Sequence, residues 1–520
     1  MLRRLATIGL FALAAACNNG SGGGAPAPDD PFTVTFPAGF LWGTGNAAYQ
    51  SEGNYKPGGG RVLSNWSRWE EMGKIHSGDD NDRGVRFYEK AYYEADFDRA
   101  AADGHNVFRM GVEWARVEPE RGVFDDAEMQ HYVDLFQAAK DRGLTTMVTL
   151  YHWVTPRWAA DPLPSVNRDL FATFPNEPLW DDFEAFTRYV VPRLEGLVDY
   201  WVTFNEPFTV VALGYLLGEH PPGKLLDLTG AINFVLNVAF MHGRAYDAIH
   251  ELDDADADGD GEPALVSMAH HGNRVLPVDP SNADDQRGAR HLEYLLNLLL
   301  IDAVTTGNVD ADLDGVFNPD SANPYEDHYP ELVGTMDYMG LNYYGPMRAL
   351  GHLGPFPIGA PLYGLPLLMV DQYDPDLPHN VLNREISAQG FRDTLDLYWD
   401  RYRLPFFITE NGTDRGVYQP GNREQATMYH MEHIYVLGRA IEDGIPVIGY
   451  LKWSLTDNFE WVEGFGPTFG LYGIDYGDPA LPRIRTGNAD VLADVIAAGG
   501  IDRALYDRYV LEKYPSDARE

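Results

Sequence analysis

Two glutamates in this 520-residue chain stand where carboxylates can do chemistry. Glu206 follows the apolar run of YWVTFNEP, and Glu410 follows the apolar run of FFITENG. Each run predicts a buried β-strand, so a rigid backbone would deliver each carboxylate into a cleft. One carboxylate can attack an electrophilic carbon while the other donates and removes a proton. Taken alone, either glutamate could instead be a loop cap or a salt-bridge partner.

Eight apolar runs with strand character are spaced along the chain, with amphipathic helical stretches between them, such as residues 127–143 and 181–196. This alternation predicts an α/β fold, a (β/α)₈ TIM barrel forming a single domain with elaborated βα loops. A doubly wound open sheet is the alternative, but no glycine-rich phosphate turn follows the first strand. The predicted strands begin at Phe40, Asn106, Thr145, Tyr200, Ala264, Asp337, Pro405 and Pro446.

Functional side chains of such barrels lie at the C-terminal ends of the strands, facing the βα loops. We therefore expect the polar and aromatic residues that end the predicted strands to meet at one rim. These residues are Glu113, His152, Asn205, Glu206, Asn342, Tyr344, Glu410 and Trp453.

The composition narrows the ligand class. A formal net charge of −39 repels nucleic acid and anionic lipid headgroups, so both are discounted as partners. Aromatic residues make up 13% of the chain, which suits stacking on flat apolar faces such as those of sugar rings. An aromatic-rich core explains the same figure equally well.

The N-terminus predicts export. Residues 1–16 combine a cationic start with a short apolar run, which indicates a secretion signal. Small residues precede Cys17, the only cysteine, in a pattern that resembles a bacterial lipobox, so we expect Cys17 to carry a lipid anchor. Residues 17–31 read as a flexible tether, followed by the barrel over residues 32–520. Asn18 favours the outer membrane or periplasm, and ordinary signal cleavage with an incidental Cys17 is the alternative. With one cysteine, the fold cannot depend on a disulfide.

From about Pro37 onward the chain resembles glycoside hydrolase family 1, the β-glucosidase and β-galactosidase family. FLWGTGNAAYQSEG is similar to the N-terminal signature of the family, TFNEP to its acid/base motif and FITENG to its nucleophile motif. GYLKWSLTDNFEW is similar to the sugar-binding segment near the eighth strand. Several long motifs in the right order make coincidence a poor explanation.

The resemblance implies a retaining mechanism, in which two carboxylates about 5 Å apart form and then hydrolyse a covalent glycosyl-enzyme. It implies that Glu410 is the nucleophile and Glu206 the general acid/base, with no catalytic cofactor. Arg109 and the Tyr344 hydroxyl would keep Glu410 ionised. The supporting residues that it implies are Arg109, Asn205, Asn342 and Tyr344.

The resemblance also implies an exo-acting pocket for a terminal, unphosphorylated β-linked sugar, most simply glucose, with galactose and fucose as alternatives. The substrate would be a small oligosaccharide or glycoside. Transglycosylation on the same site and a non-catalytic surface glycan-binding protein are two further readings. The expected sugar-binding residues are Gln50, His152, Trp153, Trp453, Glu460, Trp461 and Phe469.

Two acidic loops contain D-x-D-x-D-G, in which alternate carboxylates before a glycine can wrap a structural Ca²⁺. Neither loop has the glutamate that would complete an EF-hand, and a solvated acidic loop is the alternative. The candidate ligands are Asp254, Asp256, Asp258, Asp310, Asp312 and Asp314.

Overall fold

The computed structural model describes residues 31–57, 59–311, 315–323, 325–353, 356–357, 385–415 and 422–510. Eight parallel strands pair in chain order, and the last lies beside the first, so the sheet closes into a barrel. The predicted (β/α)₈ fold is confirmed, and the open sheet is wrong. The strands are β1 (Leu41–Gly45), β2 (Val107–Gly111), β3 (Thr145–Tyr151), β4 (Tyr200–Asn205), β5 (Leu265–His271), β6 (Met339–Tyr343), β7 (Phe406–Asn411) and β8 (Val447–Trp453).

A long helix follows each strand. Two of these helices correspond to the predicted stretches, and the second begins at Glu177 rather than Asp181 because Asn176 caps it by accepting from the Leu179 N–H. The helices are α1 (Lys90–Ala102), α2 (Asp126–Lys140), α3 (Glu177–Leu194), α4 (Leu228–Leu252), α5 (Ala283–Glu293, continued by a π-type turn at Tyr294–Leu298 into Leu299–Thr306), α6 (Ala388–Tyr402), α7 (Asn422–Glu442) and α8 (Gly487–Ala498).

The core has two layers. A large cluster of apolar side chains packs the strands against the helices, while a smaller one, including Val107, Met147, Val202 and Phe407, fills the barrel. Side chains two residues apart on a strand face the same side, so Arg109 follows Val107 into the barrel interior. Its guanidinium is fully buried there, where it can reach groups on several strands.

Loops and short elements surround the barrel. Short helices at Ala48–Glu52, Asn65–Glu71, Trp114–Val117 and Pro207–Thr209 lie in the loops after β1, β2 and β4. Before the barrel, Val34–Thr35 pairs antiparallel with Gly500–Ile501, and the chain ends its described part in a helix at Arg503–Tyr509. No helix among the described ranges is long and apolar enough to cross a membrane.

Candidate active site

Glu206 and Glu410 both lie buried at the C-terminal rim of the barrel. Glu410 is inside β7 and pairs in register with Asn342 on β6. Glu206 directly follows β4 with φ of 46°, a left-handed conformation that is strained for a glutamate. This conformation turns the chain sharply from the strand into the short helix that begins at Pro207.

The Glu410 carboxylate has two donors. Arg109 Nη1 lies 2.8 Å from Oε1, and the Tyr344 hydroxyl donates to Oε2 at 2.6 Å. Burial nevertheless raises the pKa of Glu410 to about 7, and the charge of Glu206 adds to that rise while Arg109 and Tyr344 lower it. The two donors act in the expected direction, but burial outweighs them.

The Glu206 carboxyl is held by Asn342, a predicted supporting residue, and by Thr209, which the sequence did not suggest. Asn342 Nδ2 donates to Oε1 at 2.7 Å, and Thr209 Oγ1 donates to Oε2 at 2.8 Å. His271, at the end of β5, places Nδ1 3.9 Å from Oε2. The three-residue spacing of Thr209 from Glu206 is a local signal that could have been used, whereas His271 is brought in only by the barrel.

A chain of hydrogen bonds joins the surroundings of the two glutamates. Arg109 Nη2 donates to Asn205 Oδ1 at 2.7 Å, and Asn342 Nδ2 donates to the same oxygen at 3.1 Å. Since Arg109 also holds Glu410 and Asn342 also holds Glu206, the chain runs from one carboxylate to the other. The structure thus brings all six predicted catalytic and supporting residues together.

Aromatic rings and polar groups form one side of the same rim. The His152 ring lies 5.9 Å from both Trp453 and Trp461, measured between ring centroids, and the Trp153 and Trp461 centroids are 4.6 Å apart. Trp453 also packs with Phe469. These rings form an aromatic wall next to Asn205, which contacts His152.

The polar members of this set lie next to it. Gln50, on the short helix after β1, donates from Nε2 to the Phe459 carbonyl at 2.9 Å and lies 3.3 Å from Glu460 Oε2. Asn205 Nδ2 lies 3.0 Å from His152 Nε2. All seven predicted sugar-binding residues are therefore near the rim that carries Glu206 and Glu410.

The acidic loops are only partly brought together. Oxygens of Asp256 and Asp258 lie with one of Asp199 inside a 4.8 Å group, and Asp254 is not in that group. Asp199 precedes β4, so this cluster lies at the barrel end opposite the two glutamates; burial, with Asp258, raises the pKa of Asp199 to about 7. Asp310 accepts from the Gly315 N–H, and Asp312 and Asp314 lie outside the described residues.

Comparison with known proteins identifies the family that carries this geometry. Residues 32–501 match the family model of Glycosyl hydrolase family 1. The chain belongs to glycosyl hydrolase family 1. It is therefore an O-glycosyl hydrolase, a retaining β-glycosidase that needs no catalytic cofactor.

Relatives of this family 1 enzyme span nearly its whole length. A beta-galactosidase of Pyrococcus woesei is 28% identical over 526 residues, covering 90% of this chain and 98% of the relative. Beta-glucosidase A of Thermotoga maritima is 29% identical over 475 residues, covering 90% and 99%. A solved structure of the Thermotoga maritima beta-glucosidase in complex with deoxynojirimycin is 26% identical with a TM-score of 0.75, covering 90% of this chain and all of that one (100%).

Proposed function

We propose that Glu410 is the nucleophile and Glu206 the general acid/base of this family 1 enzyme. One observation carries the assignment: the hydrogen-bond chain through Arg109, Asn205 and Asn342 that joins the two buried carboxylates. Such a chain holds two acidic groups on one rim with fixed orientations, as a two-carboxylate mechanism requires.

In the first step, a carboxylate oxygen of Glu410 forms an ester bond to the anomeric carbon. The bond to the leaving oxygen breaks, and Glu206 gives that oxygen its proton. In the second step, Glu206 removes a proton from water while the water oxygen attacks the anomeric carbon and releases Glu410. We assign Asn205, which accepts a hydrogen bond from Arg109, a contact with the sugar beside the reacting carbon.

Removal of the nucleophile tests the assignment. Glu410→Gly should lower turnover of an aryl β-glucoside by more than about 10⁴-fold, since the covalent step is lost. Azide should restore turnover in this variant by occupying the space of the carboxylate, and the product should have the inverted configuration. Glu219→Gly, at an exposed loop position, is the matched control and should behave as wild type. Equal rates for wild type and Glu410→Gly would remove Glu410 from the mechanism.

Replacement of the acid tests the second assignment. Glu206→Gln should lower turnover of glycosides with poor leaving groups by roughly 10²- to 10⁴-fold. Substrates with activated leaving groups need no proton, so their first step should be affected much less. A uniform loss across leaving groups would contradict the role of Glu206.

The substrate proposal is a terminal, unphosphorylated glucose, with galactose or fucose as alternatives. The carboxyl of Glu460 beside Gln50 supports it, because a carboxylate reads sugar hydroxyls and repels a phosphate. A panel of aryl β-glucosides, β-galactosides, β-fucosides and 6-phosphoglucosides should show turnover of the first three and very little of the last. Preference for the phosphorylated sugar would overturn the proposal.

Transglycosylation uses the same two glutamates and differs only in what attacks the glycosyl-enzyme. The ratio of free sugar to transferred sugar, measured with added oligosaccharide acceptor, separates the two outcomes. We propose hydrolysis as the main reaction, so free sugar should dominate at low acceptor concentration.

We also propose that the enzyme is exported and anchored by a lipid on Cys17, at the outer membrane or in the periplasm. The support is the sequence of residues 1–31, of which residues 1–30, including Cys17, lie outside the described part of the structure. Cys17→Ser should move the activity from the membrane fraction to the soluble fraction. An unchanged distribution would contradict the anchor.

We propose in addition that the enzyme binds a structural Ca²⁺. Its support is the grouping of Asp256 and Asp258 with Asp199, which replaces Asp254 in the predicted set. A bound cation would relieve the repulsion among these carboxylates and raise the melting temperature. A chelator that leaves the melting temperature unchanged counts against it.

A further inference from the structure

A small cavity beside the active site is lined by the buried carboxyl of Glu113 and the half-buried ring of His152. His152 and Glu113 both line it, together with Tyr49 and Thr149. Three buried atoms have no hydrogen-bond partner among the described residues: both carboxyl oxygens of Glu113 and Nδ1 of His152. Buried polar atoms are rarely left unpaired, so these three need an explanation.

The hydrogen-bond chain fixes which nitrogen of His152 carries the proton. Arg109 can only donate, so Asn205 must turn its oxygen toward Arg109 and its NH₂ group toward His152. That NH₂ group lies 3.0 Å from Nε2, which must therefore accept. A neutral ring that accepts at Nε2 carries its hydrogen on Nδ1.

The ring is neutral, because burial and the nearby Arg109 lower the pKa of His152 well below its usual value. Its Nδ1–H then needs an acceptor on the other side of the ring. Glu113 is suited to that role without adding a charge, since burial raises its pKa to about 8 and keeps it protonated near neutral pH. A protonated carboxyl still accepts through its carbonyl oxygen.

We propose that Glu113 is a positioning residue for His152: it accepts the His152 Nδ1–H through one water molecule held in their shared cavity. The water has polar partners on both sides, as a buried water requires. The contact locks the tautomer and ring orientation of His152, so that Nε2 is always presented to Asn205 and the sugar. This inference rests on the proposed role of His152 in binding the sugar.

A double-mutant cycle tests the coupling. Glu113→Ala should lower kcat/KM for an aryl β-glucoside by roughly 10-fold, the loss expected when a buried donor is left unpaired. Glu113→Gln keeps an acceptor and should stay within about 3-fold of wild type. In a His152→Ala background, Glu113→Ala should have no further effect. Equal losses in both backgrounds would show that Glu113 acts independently of His152.

Glu118→Ala is the matched control. Glu113 directly precedes the short helix Trp114–Val117, and Glu118 directly follows it. Glu118 is also a buried carboxyl, and it accepts from Trp114 Nε1 at 2.7 Å. Glu118→Ala should lower stability. Its effect on kcat/KM should be the same in the wild-type and His152→Ala backgrounds. Coupling of the same size for Glu118 would mean that the helix as a whole, not Glu113, positions His152.

A crystal structure of the wild-type enzyme tests the proposal without any variant. An ordered water within hydrogen-bond distance of both His152 Nδ1 and a Glu113 oxygen is expected. A Glu113 carboxyl paired elsewhere, with a different acceptor at Nδ1, would overturn the proposal. This readout does not depend on the roles of Glu410 and Glu206, so their failure and the failure of the Glu113 contact can be told apart.

Discussion

Arg109 and Arg116 are both fully buried, and each pairs with at least one carboxylate, yet the two clusters around them are built differently. Arg109 bonds mainly to side chains of other barrel strands: Thr149 on β3 at 2.9 Å, besides Asn205 and Glu410. These partners leave the Glu410 carboxylate at the rim, where substrate can reach it.

Arg116 instead holds a loop. It donates to the backbone carbonyls of Tyr55 at 2.6 Å and Gly53 at 2.9 Å, and it lies near the carboxylates of Glu52 and Glu128. Its partners belong to the segment after β1 and to α2. The same guanidinium group thus holds the rim carboxylate of Glu410 in one cluster and holds a loop in place in the other. The two clusters differ in whether the partners of the arginine face the rim.

The largest expected effect is on the Arg109 cluster. Arg109→Met removes the cation beside Glu410 and the anchor of Asn205, and should lower kcat/KM by roughly 10³-fold or more. Because Arg109 lowers the pKa of Glu410, its loss should move the acid limb of the pH–rate profile to higher pH. The rate of aryl β-glucoside hydrolysis, measured across pH, gives both kcat/KM and the position of the acid limb. An acid limb that does not move would separate Arg109 from the ionisation of Glu410.

Arg116→Met should give the opposite pattern. Removal of this cation leaves Glu52, Glu113 and Glu128 buried together, and should lower the free energy of unfolding by about 3–5 kcal/mol. The folded fraction should keep a kcat near that of wild type. Denaturant unfolding and active-site titration measure the two quantities, and a fall in kcat as large as that of Arg109→Met would break the comparison.

A smaller effect is expected for Tyr344→Phe. Its hydroxyl lowers the pKa of Glu410, so the variant should shift the acid limb upward and reduce kcat/KM by about 10-fold at neutral pH. Tyr343→Phe is a neighbouring control, since the Tyr343 hydroxyl donates to the Ser387 carbonyl and not to Glu410. An identical acid limb in both variants would argue against the Tyr344 contact.

The last prediction concerns the pH dependence of stability, which the buried Glu113 carboxyl should control. The folded state raises the pKa of Glu113 from 4.5 to about 8, so this group stabilises the fold fully below 4.5 and loses that contribution as pH rises through 8. Glu113→Gln cannot ionise, so its stability relative to wild type should increase between these pH values. Unfolding measured at pH 5 and pH 8 checks this, and a constant difference would contradict it.

Much of this architecture could be predicted from sequence, because strand and site signals are local. Each apolar run contained its strand, and the residues at the strand ends, such as Glu206 and Glu410, met at one rim because parallel strands share a direction. The amphipathic pattern begins at Asp181, four residues after α3 itself starts, since the cap at Asn176 lies outside the pattern.

What the sequence did not predict depends on distances through space. His271 joins Glu206 from the end of β5, and Asp199 joins Asp256 and Asp258 from the residue before β4; no spacing in the chain indicates either contact. The sequence also does not predict the net direction in which the pKa of Glu410 shifts. Its two donors could be named from motifs, but the cost of burying its charge depends on the completed barrel.

The pairing of Val34–Thr35 with Gly500–Ile501 fixes where the N-terminal segment leaves the body. Gly500 follows the C-terminal end of α8, and Leu41 opens β1, so this pair lies at the barrel base, away from the reactive rim. A surface attached through the N-terminus is therefore joined to the enzyme at the barrel base, on the side opposite Glu206 and Glu410. Immobilisation through that end should leave access of glycosides unobstructed, whatever the surface is made of.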